Sequence, residues 1–200
     1  MSDNKKFTFD ADGNVTAMYA VKGAYMKFES IANTTFVTEA GTFTSGGTGI
    51  VEVEATKAGK SKTEFSVYSD QDGDGRFIES FELDVVNTAL FRAENYKFDL
   101  AGEEVTQAYE LGKRGWKIDY ADADESYSVL SVDGDTFIVK TEAEYVGAEF
   151  DIYVDRDGDG LWSKIAEGET TGDFLHADGS VDLVGILNAG LLAPAAVVTV

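Results

Sequence analysis

The chain carries the same pattern twice, and that duplication limits its possible folds more than any other feature. Val15-Thr16-Ala17-Met18-Tyr19 returns as Val105-Thr106-Gln107-Ala108-Tyr109 at an offset of 90, and Met26-Lys27-Phe28-Glu29 returns as Trp116-Lys117-Ile118-Asp119. Gly47-Thr48-Gly49-Ile50-Val51 falls on Asp135-Thr136-Phe137-Ile138-Val139 at 88. The strongest match comes at 85, where the run from Glu64 to Gly75 falls on the run from Glu149 to Gly160. The copies span roughly 6–84 and 97–169, and the falling offset means that the second has lost five residues in its loops. Shortened loops between preserved runs are the mark of a duplicated folding unit.

Within each copy the apolar residues recur at spacing two, as in Phe65 and Val67 or Phe150 and Ile152, with aromatic and β-branched types that suit strands. Asp12-Gly13, Gly46-Gly47 and Asp133-Gly134 punctuate the runs as turns. The expected fold is all-β, two tandem homologous antiparallel β-repeats of five or six strands each, sandwich-like, with little helix. Residues 1–96 form the first repeat with a linker, 97–170 the second, and 171–200 a C-terminal tail. Short helices are expected only over residues 85–96 and Val181–Leu192.

Composition then removes whole classes of function. Sixteen Lys+Arg against thirty-seven Asp+Glu leave a net charge of −21, which disfavours nucleic acid and anionic membranes as partners. At 44% hydrophobic and 12% aromatic the chain is too apolar for a disordered acidic polymer. No Cys is present and His176 is the only His, so thiolate and histidine-rich metal sites lack ligands. Any metal bound here is a hard, oxygen-liganded cation.

Two loops supply such ligands. Asp70-x-Asp72-x-Asp74-Gly75 and Asp155-x-Asp157-x-Asp159-Gly160 set carboxylates at loop positions 1, 3 and 5 with Gly at 6, the first half of an EF-hand loop. Calcium takes about six to eight oxygens at about 2.3–2.6 Å, and a backbone carbonyl from Arg76 or Leu161 at position 7 would add one. The second half departs from that pattern. Position 12 holds Phe81 and Ala166, and Glu82 and Glu167 follow at 13 as the expected closing ligands, ahead of Glu64 and Glu149. Glu79, at position 10, aligns with Lys164. Strand-like flanks, Phe65 to Tyr68 and Phe150 to Tyr153, predict a calcium hairpin in place of a helix–loop–helix pair. The competing reading is a polar Asp-Gly turn held by local hydrogen bonds. A switching role would need a bistable element, so the calcium is expected to be structural.

Taken together, Val-Thr-x-x-Tyr, a Lys between apolar residues, and the stretch Glu149 to Gly160 resemble short repeats in bacterial RTX-type and adhesin-like proteins exported by type I secretion. The resemblance covers both copies and implies an extracellular, calcium-stabilised β-protein at the cell surface. The glycine-rich nonapeptides that define the RTX roll are absent, and Gly46-Gly47-Thr48-Gly49 is not one. The N-terminus lacks the apolar stretch of a signal peptide, while the small apolar end, Leu191 to Val200, is similar to the uncleaved C-terminal signal of type I substrates. A last strand over Ala195–Val200 competes with that reading. A membrane anchor fits poorly, because Asn188 and Pro194 interrupt the segment and no cations flank it.

Catalytic signatures are missing. There is no Gly-x-Ser-x-Gly, phosphate loop or dinucleotide fingerprint, and His176 beside Asp173 and Asp178 reads as a surface loop residue. The expectation is therefore a non-enzymatic, secreted, calcium-binding structural or adhesive protein. Its partners would be calcium, cell-surface polysaccharide or a second copy of itself. A carbohydrate-binding module is the alternative, resting on Tyr19, Tyr25, Tyr68, Trp116, Tyr120, Tyr127, Tyr145, Tyr153 and Trp162 as stacking surfaces. A secreted polysaccharide hydrolase with a carboxylate pair comes last. Trp162 aligns with Phe77 just after the loop, which predicts packing beneath each hairpin.

Overall fold

A computed structural model describes residues 4–38, 49–56, 62–70, 72–86, 94–132, 134–188 and 192. The chain divides into two compact units, Met1–Leu83 and Asp84–Val200, with the boundary inside a strand and ahead of the one expected after residue 96. The fold is all-β, antiparallel and sandwich-like, as the spacing-two pattern predicts.

The first repeat contains β1 (Asn4–Phe9), β2 (Val15–Lys22), β3 (Tyr25–Glu29), β4 (Thr34–Thr38), β5 (Gly49–Thr56), β6 (Lys62–Asp70) and β7 (Phe77–Val86). The second contains β8 (Tyr96–Ala101), β9 (Glu104–Gly112), β10 (Gly115–Asp119), β11 (Glu125–Val132), β12 (Asp135–Ala143), β13 (Ala148–Asp155) and β14 (Ser163–Thr170). Each repeat thus has seven described strands where the sequence suggested five or six. Among them β3 and β10 are short strands turned back on β2 and β9 by two-residue links, Gly23-Ala24 and Lys113-Arg114.

Strand register establishes the duplication independently of sequence identity. Val21 pairs with Met26 and Leu111 with Trp116, while the bulge between Thr8 and Phe9 returns between Asp99 and Leu100. Lys5 pairs with Phe77, and the equivalent bridge, Tyr96 to Trp162, carries backbone hydrogen bonds of 3.2 and 2.8 Å. One alignment needs correction. Tyr68 lies opposite Val51 and Tyr153 opposite Ile138, so β5 matches β12 at an offset of 87, not 88. Matching Ile50-Val51 to Ile138-Val139 by apolar identity slips the strand by one residue and exchanges its faces. Gly47 and Thr48, in the same block, lie outside the described residues.

With that register the centres of the two cores correspond, although Phe9 packs in the first where Leu100 is exposed in the second. Phe7, Val51, Tyr68 and Phe77 form the first, with Met18, Val15 and Phe36 packed against it. Phe98, Ile138, Tyr153 and Trp162 form the second, with Ala108, Val105 and Tyr127 in the matching places. Val51 and Ile138 are both fully buried. Each core draws from the meander that begins its repeat and from the strands that follow, so two layers close face to face.

Helix is confined to α1 (Leu183–Asn188) among the described residues, shorter than the expected Val181–Leu192. Asp182 accepts the Gly185 N–H at 2.8 Å and caps it, while Leu183 and Ile186 are buried. The helix expected over 85–96 does not form where it is described, because Val85 and Val86 end β7 and Tyr96 starts β8; residues 87–93 lie outside the described part. The terminal segment Ala195–Val200, expected as a signal or a strand, also lies outside it.

Candidate metal centres

Both Asp-rich loops join antiparallel neighbours, β6 to β7 and β13 to β14, so the expected hairpin setting holds. Asp70 and Asp155 are the last residues of β6 and β13, which fixes their side chains before the chain turns. The turns then close on these carboxylates. Asp70 accepts the N–H of Gly73 at 2.7 Å on Oδ1 and of Gly75 at 2.9 Å on Oδ2. Asp155 accepts Gly158 at 2.8 Å and Gly160 at 3.0 Å on the corresponding oxygens. At position 3, Asp72 takes the Asp74 N–H at 3.1 Å and Asp157 the Asp159 N–H at 3.4 Å. At position 5, Asp74 takes Arg76 at 2.7 Å and Asp159 takes Leu161 at 2.8 Å.

Four matching bonds in each loop gather three carboxylates whose oxygens lie within 4.8 Å of one another. Gly75 and Gly160 at position 6 have φ of 81° and 85°, a backbone that L side chains adopt only with strain. A carboxylate has about four lone-pair sites, so oxygens that accept one N–H keep capacity for a cation. The donor set is hard and anionic, which suits Ca²⁺. Arg76 Nε stands 3.9 Å from Asp74 Oδ2, where the second loop has Leu161 and carries its arginine, Arg156, at position 2.

The closing glutamates are placed elsewhere. Glu82 on β7 has its carboxylate within 4.8 Å of that of Glu64 on β6, and neither gathers with the Asp70 group. Glu167 on β14 pairs with Lys164 at 2.8 Å, and Lys164 also holds Asp151 at 2.6 Å. Burial alone would lower the Lys164 pKa, but the hydrogen bonds to Asp151 and Glu167 outweigh it and hold the ammonium above its ordinary value. Glu149 lies opposite Glu142 on one side and Glu169 on the other. Its carboxyl is pushed up by partial burial and then by Glu169, Glu144 and Glu142. Glu64 meets Glu82 and Lys164 meets Asp151 because their strands become neighbours, and Lys164 reaches Glu167 along β14 past the register shift at Ile165.

The aromatic residues do not form one stacking platform. Tyr68, Tyr153 and Trp162 are buried, whereas Tyr25, Trp116, Tyr120 and Tyr145 are exposed. Tyr153 donates to Asp151 at 3.0 Å, and burial with the nearby Asp151 drives its phenol strongly upward. Burial and Glu79 do the same to Tyr68. His176 is exposed and stands 3.8 Å from Asp182. No helix among the described residues is long and apolar enough to cross a membrane.

Searches against family models, curated proteins and solved structures returned no match to this chain. What is established is an antiparallel β-protein of duplicated design carrying acidic clusters that could hold a metal ion.

Proposed function

We propose that the protein is a calcium-binding structural or adhesive component of the bacterial cell surface or extracellular matrix, its fold stabilised by one calcium in each repeat. The observation behind this reading is the repeated cage. Two loops separated by 85 positions place three Asp carboxylates in the same arrangement with the same four backbone donors each. Asp70, Asp72 and Asp74 would hold one ion and Asp155, Asp157 and Asp159 the other, with the carbonyls of Arg76 and Leu161 and water completing each shell. Three gathered carboxylates repel one another, so a bound cation favours the folded loop over the open chain. Export by type I secretion and an extracellular address follow from the resemblance to RTX-type and adhesin-like repeats, and extracellular calcium would keep such sites filled.

Titration calorimetry of metal-stripped protein with Ca²⁺, followed by thermal melts in Ca²⁺ and in EDTA, tests the reading. Two sites and a calcium-dependent rise in Tm are expected. Absence of binding at millimolar Ca²⁺ would reduce both loops to hydrogen-bonded turns.

A further inference from the structure

The meander that opens each repeat ends in a five-residue edge strand. Among the described residues, β3 is paired only with β2 and β10 only with β9. Both edges read apolar, Lys, apolar, acid: Met26-Lys27-Phe28-Glu29 and Trp116-Lys117-Ile118-Asp119. Strand alternation puts Met26 and Phe28 on one face beside Val21 and Tyr19, and Trp116 and Ile118 beside Leu111 and Tyr109. These side chains meet solvent, with Met26 54%, Phe28 59%, Trp116 42% and Ile118 43% exposed.

Charge indicates what covers them. Residues 4–29 hold four Lys/Arg and three Asp/Glu and residues 96–119 hold four and five, so the meanders carry only +1 and −1 in a chain of net charge −21. Two copies of such an acidic chain repel least where the local charge nearly cancels. The order of charges then selects a pairing. If β3 runs antiparallel to β3 of a second copy, centred on Phe28, Lys27 faces Glu29 of that copy and Phe28 faces Phe28. The same operation about Ile118 sets Lys117 opposite Asp119 and Trp116 opposite Tyr120. Lys27 and Lys117 make no ion pair among the described residues, so each gains a partner. Glu29 already accepts Lys5 at 2.7 Å and Asp119 stands 4.0 Å from Lys140, and a carboxylate accepts more than one donor. The two repeats keep apolarity at these positions while exchanging Met for Trp and Phe for Ile. A sugar-stacking surface needs a flat ring in a fixed place, whereas a protein cover needs only apolar area.

We infer that β3 and β10 are self-association edges, each pairing antiparallel with the same strand of a second copy of this chain, about Phe28 and Ile118. The inference is independent of the metal reading, because no loop carboxylate takes part. Sedimentation velocity of the full chain, with and without Ca²⁺, at concentrations up to about 1 mM tests it. Wild-type mass should rise above that of one chain with concentration. The paired change Phe28→Lys and Ile118→Lys, at exposed positions, should abolish the rise with the Tm unchanged. Lys27→Glu with Lys117→Glu, which leaves the apolar face intact, should also weaken association. A wild-type chain that stays monomeric throughout would overturn the inference and identify Lys27 and Lys117 as charges that keep edges apart. Association unaffected by either pair of substitutions would overturn it as well.

Discussion

Phe77 and Trp162 occupy the same place in the two repeats, each two residues past the last glycine of its Asp-rich loop, and each meets a ring of its repeat's first strand edge-on. Phe7 and Phe77 stand 5.1 Å apart at 86°, and Phe98 and Trp162 stand 5.6 Å apart at 89°. Both are 3% exposed. The aromatic thus pins the outgoing strand to the core immediately after the turn, and joins the loop's conformation to the packing below it.

Phe77→Ala and Trp162→Ala should each cost about 3–5 kcal/mol, the usual range for deleting a buried aromatic. Urea unfolding of each variant measures the loss. Because the equivalent residue of the other repeat is untouched, the early loss should be confined to one repeat, visible as a separated first transition.

Asp72→Ala and Asp157→Ala should each lower the calcium stoichiometry by one. Both residues are exposed, so the Tm in EDTA should match that of wild type while the gain on adding Ca²⁺ shrinks. Calorimetry and paired melts read these two effects separately, and unchanged stoichiometry in both variants would count against the metal assignment.

Gly160→Ala and Gly147→Ala separate backbone strain from collision. Gly160 has φ of 85° with open space where a Cβ would go, so the change should cost about 1–2 kcal/mol from the left-handed backbone alone. Gly147, at 88°, would bring a Cβ to 1.9 Å from the Thr170 carbonyl oxygen, so its substitution should cost clearly more. Chemical denaturation of the two variants gives the order.

Alkali should unfold the protein as its buried tyrosines ionise. Burial pushes the Tyr127 phenol to about 12, and Tyr68 and Tyr153 rise further, against about 10 in the unfolded chain. Their folded values are raised, so this stabilisation is complete below about pH 10 and is lost as pH climbs towards the folded values. Phenolate absorbance and circular dichroism should therefore change together above about pH 10.

Glu149→Gln should stabilise the fold slightly. It removes a carboxylate directly opposite both Glu142 and Glu169, and opposed like charges in a sheet cost about 0.2–1 kcal/mol. Exposure and salt place the effect at the low end, and its decline with ionic strength in thermal melts would identify it as repulsion.

Much of this fold is legible in the sequence. Spacing-two apolarity around Phe65-Val67 and Phe150-Ile152 marks the strands, and the repeated Asp triplets mark the loops between them, because both are local properties of the backbone. The aromatic after each loop is legible too, since duplication presents it twice. Less legible were β3 and β10, whose five-residue length and two-residue links barely interrupt the pattern.

What the sequence by itself determined is the duplication, the antiparallel β class, and which carboxylates gather at each loop, since positions 1, 3 and 5 are brought together by the turn they belong to. Only the tertiary structure decided the register of β5 against β6, the pairing of Asp151 with Lys164, and the row of Glu142, Glu149 and Glu169. A strand's side-chain pattern repeats every two residues, so neighbouring registers look alike along the chain. They separate only when Val51 or Ile138 must fill one particular space in a packed core.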